Sequence, residues 1–253
     1  MTSGHLLALD AGNTSVAVGV FRGDDLLRAF RVPHGAGLEA AVKEGVSGLG
    51  APGSWDGAAL ASVVPSRDGA LVALCRAVTG AAPLVIDHGS DLGITIATRE
   101  PAAAGADRLV NGAAAFLLFG GPVVVADAGT ALSITAVTAD GRYVGGAIAP
   151  GPAMALEALA RRAERLPEVA LEAPLGPIGA DTAAAMRAGV VIGTAGMLDR
   201  LAADTARELG EATTVCLTGG YAALLAPYLT IAHRREDHLT LTGLRLLYAR
   251  ARP

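Results

Sequence analysis

A strand–turn–strand unit occurs twice in this chain, once around Asp10 and again around Asp127, and it ties the fold to two similar halves. Ala8-Leu9-Asp10-Ala11-Gly12-Asn13-Thr14 and Val125-Ala126-Asp127-Ala128-Gly129-Thr130 each follow an apolar run that reads as a buried strand. Each then leads into a β-branched run, Val16 to Phe21 and Ile134 to Thr138. Glycine lets such a turn approach a bulky anion, the turn N–H groups and the Thr hydroxyl can bond phosphate oxygens, and the Asp can hold a cation directly or through water. One Asp-Gly turn alone reads as an ordinary β-hairpin. Two copies predict a nucleotide triphosphate gripped from both sides.

Composition removes several competing readings. Hydrophobic residues make up 52% of the 253 and charged residues 17%, which describes a packed globular protein. Lys43 is the only lysine and sits in Val-Lys-Glu-Gly, so no Walker A loop exists. The net charge of −4 and the scattered arginines give no basic face for nucleic acid. Arg161, Arg162 and Arg165 stand among Glu157, Glu164 and Glu168 and read as a solvated helix face. Cys75 and Cys216 lack metal-ligand spacing and fit a reduced, cytoplasmic protein. His5, His34, His88, His233 and His238 show no metal spacing either and read as surface or turn residues. The amino terminus has no basic region ahead of its short apolar run, so no signal peptide is expected. Gly112 to Ala126 is too short for a membrane span and reads as a helix followed by a strand.

Along the chain, Leu6 to Phe30 reads as a strand meander and Leu38 to Leu49 as an amphipathic helix. A strand over Gly57 to Val64, a helix over Ala70 to Thr79 and a strand over Pro83 to Asp87 follow. Gly93 to Ala104 reads as irregular, and Gly105-Ala106-Asp107-Arg108 opens an apolar helix through Phe119. The second hairpin runs from Val123 to Gly151. Helices over Met154–Leu166 and, after an Asp181/Thr182 cap signal, Ala183–Leu209 precede a strand over Thr213–Leu217, the turn Thr218-Gly219-Gly220 and a helix over Thr242–Arg250. The order predicts an α/β protein with a duplicated ribonuclease-H-like fold, in lobes 1–120 and 121–253 with a nucleotide groove between them.

Several further segments join the hairpins in order: Ser62-Val63-Val64-Pro65, Gly105-Ala106-Asp107-Arg108-Leu109-Val110-Asn111, Gly145-Gly146-x-Ile-x-Pro-Gly, Thr218-Gly219-Gly220 and Leu239-Thr240-Leu241-x-Gly-Leu-Arg-Leu. Across almost the whole chain this series resembles the type III pantothenate kinases of the actin, hexokinase and acetate kinase superfamily. The resemblance implies a cytoplasmic homodimer that moves the γ-phosphoryl of ATP to the 4′-hydroxyl of pantothenate. It implies that Asp10, Ala11, Gly12, Asn13, Thr14, Ser15, Val16 and Ala17 form the first phosphate loop and that Gly129 and Thr130 belong to the second. Asp127 then binds a monovalent cation, K⁺ or NH₄⁺, and Asp10 lies near Mg²⁺. Asp107 is the implied general base, with Gly105, Ala106, Arg108, Thr98 and Thr182 as substrate contacts. Thr218-Gly219-Gly220 reads equally as a plain strand-to-helix turn and as a place where Gly219 and Gly220 permit close approach of the adenine–ribose unit. On position alone Asp107 and Thr182 read first as helix N-caps, a preference the motif reverses for Asp107 only.

The acceptor side departs from the family pattern. Thr98 replaces a tyrosine, Glu100-Pro101 replaces Asn-Pro, and Gly179-Ala180-Asp181-Thr182 replaces Gly-Lys-Asn-Thr. These changes remove an aromatic wall and a cation and add acids beside an anionic substrate. Thr135 also stands where the second hairpin usually has an Asp. The departures leave open a kinase for a different small alcohol, and a nucleotide-binding regulator without turnover.

Overall fold

The computed structural model describes residues 4–50, 54–210 and 212–252; residues 1–3 of the segment read for a leader lie outside them. The elements run β1 (His5–Ala11), β2 (Ser15–Arg22), β3 (Asp25–Pro33), α1 (Leu38–Gly45), β4 (Trp55–Ser62), α2 (Asp68–Thr79), β5 (Leu84–Ile86), β6 (Thr95–Ile96) and α3 (Ala106–Phe119). They continue as β7 (Val123–Ala128), β8 (Ala131–Val137), β9 (Arg142–Pro150), α4 (Pro152–Arg162), α5 (Thr182–Leu209), β10 (Thr214–Thr218), α6 (Ala222–Leu225), β11 (Arg234–Arg235) and α7 (Leu239–Arg250). Two compact units result, Met1–Leu117 with His238–Pro253 and Leu118–Asp237. The division expected at residue 120 left the closing helix in the second half. Here α7 joins the first unit, because its apolar residues are buried there.

In the first unit the strand order is β3-β2-β1-β4-β5. The β1–β2–β3 meander is antiparallel, while β4 and β5 run parallel to β1. A meander can use tight turns, whereas each parallel strand needs a crossover. Leu7, Leu9, Val16, Val18, Val20, Ala58 and Leu60 form one core with Val42 of α1 and Leu71, Leu74 and Cys75 of α2. Alternation turns Ala8 and Asp10 to the opposite face. There α7 packs on β1, β2 and β4, and a Cβ on Gly19, the register partner of Ala8, would lie 3.1 Å from Leu241. Gly243 lets α7 approach α3 so closely that a Cβ there would stand 2.7 Å from Val110 Cγ1. The buried Asn111 of α3 accepts a 2.8 Å hydrogen bond from Thr240 Oγ1, joining two of the segments singled out in the sequence.

The second unit repeats the plan. Its own strands run β11-β10-β7-β8-β9, with the β7–β8–β9 meander antiparallel and β10 and β11 parallel to β7. Numbered within each unit, both orders read fifth, fourth, first, second, third. This is the duplicated ribonuclease-H-like topology. Val124, Ala126, Ala128, Leu132 and Ile134 pack on Val191, Leu198 and Ala202 of the long helix α5. Asp127 therefore faces away from that core, as Asp10 does in the first unit.

Local differences from the expected elements have local causes. Helix α4 stops at Arg162 rather than running to Leu166, because the backbone turns extended at Ala163, with φ −120° and ψ 107°. Helix α1 ends at Gly45, short of Leu49. Strand β6 covers only Thr95–Ile96 of a stretch expected to be irregular, and β11 falls in a short segment too polar to carry a strand pattern. Arg161 pairs with Glu157 at 2.6 Å on an exposed face, as the mixed charges suggested.

Candidate active site

In the first unit, β1 delivers Asp10 to its carboxyl-terminal end, in register with Ala17 of β2 and Ala61 of β4. The hairpin closes through Gly12 N–H donating to Ser15 O at 3.1 Å, leaving Asn13 and Thr14 at the tip. The loop after β4 docks on it: Val63 N–H donates to Ala11 O at 3.0 Å, and Ser62 Oγ accepts from Val64 N–H at 3.1 Å. Gly105 packs against this loop, since a Cβ on it would lie 3.6 Å from Val63 Cγ1 and 2.6 Å from Asp107 Oδ1. The Asp10 hairpin, the Ser62–Pro65 loop and the start of α3 are thus neighbours within one unit.

Asp107 is half-buried and is the second residue of α3. Gly105 O accepts the Leu109 N–H at 3.1 Å, and Asp107 Oδ1 takes the Arg108 N–H at 2.7 Å. The expected N-cap reading is therefore corrected: the carboxylate lies inside the first turn, at the positive end of the helix dipole. Thr98 lies in the segment that precedes Gly105, and its buried hydroxyl finds no partner among the described residues. A buried hydroxyl without a partner costs stability unless a ligand or water satisfies it. Glu100 is exposed.

The second unit builds its own turn. Asp127 lies in register with Ser133 of β8 and Thr218 of β10. Gly219 follows with a φ of +98°, and a Cβ there would collide with Asp127 Oδ1 and the Ala128 backbone. Only glycine allows that approach. Tyr221 N–H donates to Ala128 O at 2.8 Å, the counterpart of the Val63–Ala11 bond. Thr135, on the Asp127 face of β8, is 1% exposed, and its hydroxyl has no partner among the described residues. Thr182 is exposed in the first turn of α5, while the capping oxygen is Asp181 Oδ1, which accepts from Ala184 N–H at 2.8 Å. The cap reading of Thr182 is corrected accordingly. Asp and Asn both cap well, so the Asn-to-Asp departure at position 181 keeps a local role.

Two further residues support the hairpins, one in a segment singled out in the sequence and one not. Gly151 N–H donates to Thr130 O at 3.1 Å, and a Cβ on Gly151 would strike the Gly129 and Thr130 carbonyls. His34, expected as a surface or turn residue, bonds Gly12 O at 2.7 Å through its ring Nε2. Gly151 closes the Gly145-Gly146-x-Ile-x-Pro-Gly segment, whereas His34 belongs to no spacing pattern and only the hairpin topology brings it to the turn.

No three His, Cys, Asp or Glu side chains among the described residues cluster as a metal site. A nucleotide-bound Mg²⁺ needs only one or two carboxylates beside phosphates and waters. Asp10, next to a glycine turn, is suited to that sparse ligation. Both cysteines are buried, and burial pushes each thiol up to about 12, which removes them as nucleophiles near neutrality.

Two ribonuclease-H-like units, each with an Asp-x-Gly turn at the end of its first strand, define a protein of the duplicated actin-like fold. A model of the type III pantothenate kinases matches residues 6–204. The chain is 41% identical over 250 residues to a type III pantothenate kinase of Frankia alni, covering 96% of this chain and 98% of that one. It is 39% identical over 252 residues to one from Moorella thermoacetica, covering 97% and 99%. Among solved structures, component A of the (R)-2-hydroxyglutaryl-CoA dehydratase of Acidaminococcus fermentans shares the fold with a TM-score of 0.56 at 14% identity, over 99% of this chain and 100% of that one. The chain belongs to the type III pantothenate kinase family.

Proposed function

We propose that this chain phosphorylates the 4′-hydroxyl of pantothenate with ATP, the first step of coenzyme A biosynthesis. The observation that carries the reading is Asp107, held in the first turn of α3 beside the Asp10 hairpin's supporting loop, in a chain related to pantothenate kinases over nearly its full length. Phosphoryl transfer asks the protein for positioning and charge neutralisation, and an alcohol acceptor also needs a base. Asp107 takes the hydroxyl proton. Asp10 through Ala17, with Gly129 and Thr130, contact the phosphates, and Gly219 and Gly220 lie against the nucleoside. Mg²⁺ near Asp10 and K⁺ or NH₄⁺ near Asp127 supply positive charge to the phosphates. Gly105, Ala106, Arg108, Thr98 and Thr182 contact the acceptor. The partnerless Thr98 hydroxyl supports an acceptor with a polar group at that point. It equally suits another small alcohol, which is the second reading.

The proposal includes a cytoplasmic homodimer. Buried free cysteines suit a reducing compartment, and no helix among the described residues is long and apolar enough to cross a membrane. Ile148, Leu175 and Ile178 of the second unit are 64%, 110% and 90% exposed, apolar surface that a second copy would cover. Light scattering of the purified chain tests the dimer. ADP release with Mg²⁺-ATP and K⁺, with and without pantothenate, tests the reaction. Pantothenate-dependent turnover supports it. Turnover only with other alcohols favours the second reading, and ATP binding without turnover favours a regulator.

A further inference from the structure

We propose that His34 is a positioning residue for the first phosphate hairpin, fixing the direction in which the turn's N–H groups point; this rests on the proposed role of that hairpin in binding ATP. Gly12 O can only accept, so the His34 ring atom 2.7 Å from it is a protonated Nε2 that donates. The other ring nitrogen, Nδ1, is buried and has no partner among the described residues. The His34 backbone N–H donates to Thr14 O at 3.3 Å. One residue therefore holds the Gly12 and Thr14 carbonyls, on either side of Asn13.

In a trans peptide the C=O and the following N–H point in opposite directions, and the only cis bond among the described residues is Gly121–Pro122. Pulling the Gly12 and Thr14 carbonyls toward His34 consequently turns the Asn13 and Ser15 N–H groups away from it. Those donors are then oriented before an anion arrives. Such preorganisation strengthens phosphate binding because the turn need not be ordered on binding.

The second unit gives independent support. The residue that follows its third strand is Gly151, at the place His34 occupies after β3. Its N–H bonds Thr130 O as the His34 N–H bonds Thr14 O, and its Cα lies so close that a side chain would strike the Gly129 and Thr130 carbonyls. Both units thus place a backing residue behind the same two carbonyls, through bare backbone in one and an imidazole in the other.

The test compares wild type, His34→Ala, His34→Gln and Thr14→Val by calorimetric titration with Mg²⁺-ATP and with adenosine, alongside melting temperatures. Loss of one hydrogen bond that orients donors should weaken ATP binding in His34→Ala roughly 5- to 10-fold. Adenosine affinity should stay within about twofold, and His34→Gln, whose amide can donate to Gly12 O, should recover most of the loss. Equal losses for ATP and adenosine, or no recovery by glutamine, would mean a merely structural ring and overturn the inference. Unchanged ATP affinity in His34→Ala with a loss in Thr14→Val overturns it while leaving the hairpin reading intact. Unchanged affinity in both variants overturns the two together.

Discussion

Asp107 and Gly219 show how single residues carry the proposed chemistry, one by its charge and the other by having no side chain. Asp107 sits in a helix turn whose backbone is already bonded from Gly105, so replacing its carboxylate leaves the helix start in place. Asp107→Asn should therefore keep nucleotide affinity while lowering pantothenate-dependent turnover roughly 10²-fold, the scale of a lost general base. Single-turnover kinetics beside an ATP titration checks this, and wild-type turnover in the variant would remove Asp107 from the base role. Gly219 combines a φ of +98° with contact to Asp127 Oδ1 and Ala128. Gly219→Ala should cost roughly 1–3 kcal/mol through backbone strain, before any displacement of Asp127. Thermal unfolding measures it, and a melting point equal to wild type would show that the turn relaxes freely. The repeated Asp-x-Gly pattern made Asp10, Asp127 and their turns legible in the sequence. His34 was not, because one histidine between Pro33 and Gly35 has no periodicity, and its partner carbonyl lies twenty-two positions away.

At the scale of elements, α5 carries two acids with separate tasks. Asp181 caps its start, and Asp181→Ala should cost about 1 kcal/mol. That corresponds to a fall of about 2–4 °C in Tm for a chain of this size, if unfolding is cooperative. Asp199 ties the helix to the segment before β11, accepting from Thr230 Oγ1 at 2.7 Å and from the Thr230 and Ile231 N–H groups at 2.8 and 3.2 Å. Burial pushes its carboxyl up, but the Thr230 hydroxyl, the two N–H groups and the His233 charge together outweigh burial and hold it below the ordinary carboxylate range. A folded-state value below the unfolded one means that Asp199 stabilises above about pH 4 and loses that contribution as pH falls through its folded value. Asp199→Asn should lower Tm near neutrality and flatten the acid limb of a Tm-against-pH series; parallel limbs would contradict the linkage. Strong helices and the β-branched strands were readable because their periodicity runs over many residues. The end of α4 was not read correctly, since the apolar spacing continues to Leu166 while the backbone turns extended at Ala163. Strand β11 was missed because Arg234 and Arg235 pair through backbone beside β10 while their side chains stay exposed.

At the scale of the whole molecule, the two halves were legible from the repeated hairpin, but the assignment of the last helix was not. Chain order places α7 after the second unit, and only packing returns it to the first. Leu239, Leu241, Leu244, Leu247 and Tyr248 are all buried, and Tyr248 also donates to Asp56 O beside Gly57. At roughly 1.5–3 kcal/mol for each fully buried large side chain, their removal forfeits on the order of 10 kcal/mol. That is comparable to the entire stability of an ordinary domain. A chain ending at Asp237 should therefore lose the first unit while retaining the second. The two cysteines report on the units separately, since Cys75 lies in the α2 core and Cys216 in β10, and burial holds both thiols near 12 and unreactive at pH 8. In the shortened chain Cys75 should label with iodoacetamide at the rate of an unfolded thiol, and Cys216 should stay protected as in the full chain. Continued protection of Cys75 would show that the first sheet and its α1–α2 layer hold without α7. Rapid labelling of both would show that the second unit does not fold without the first, and that the duplicated halves unfold as one.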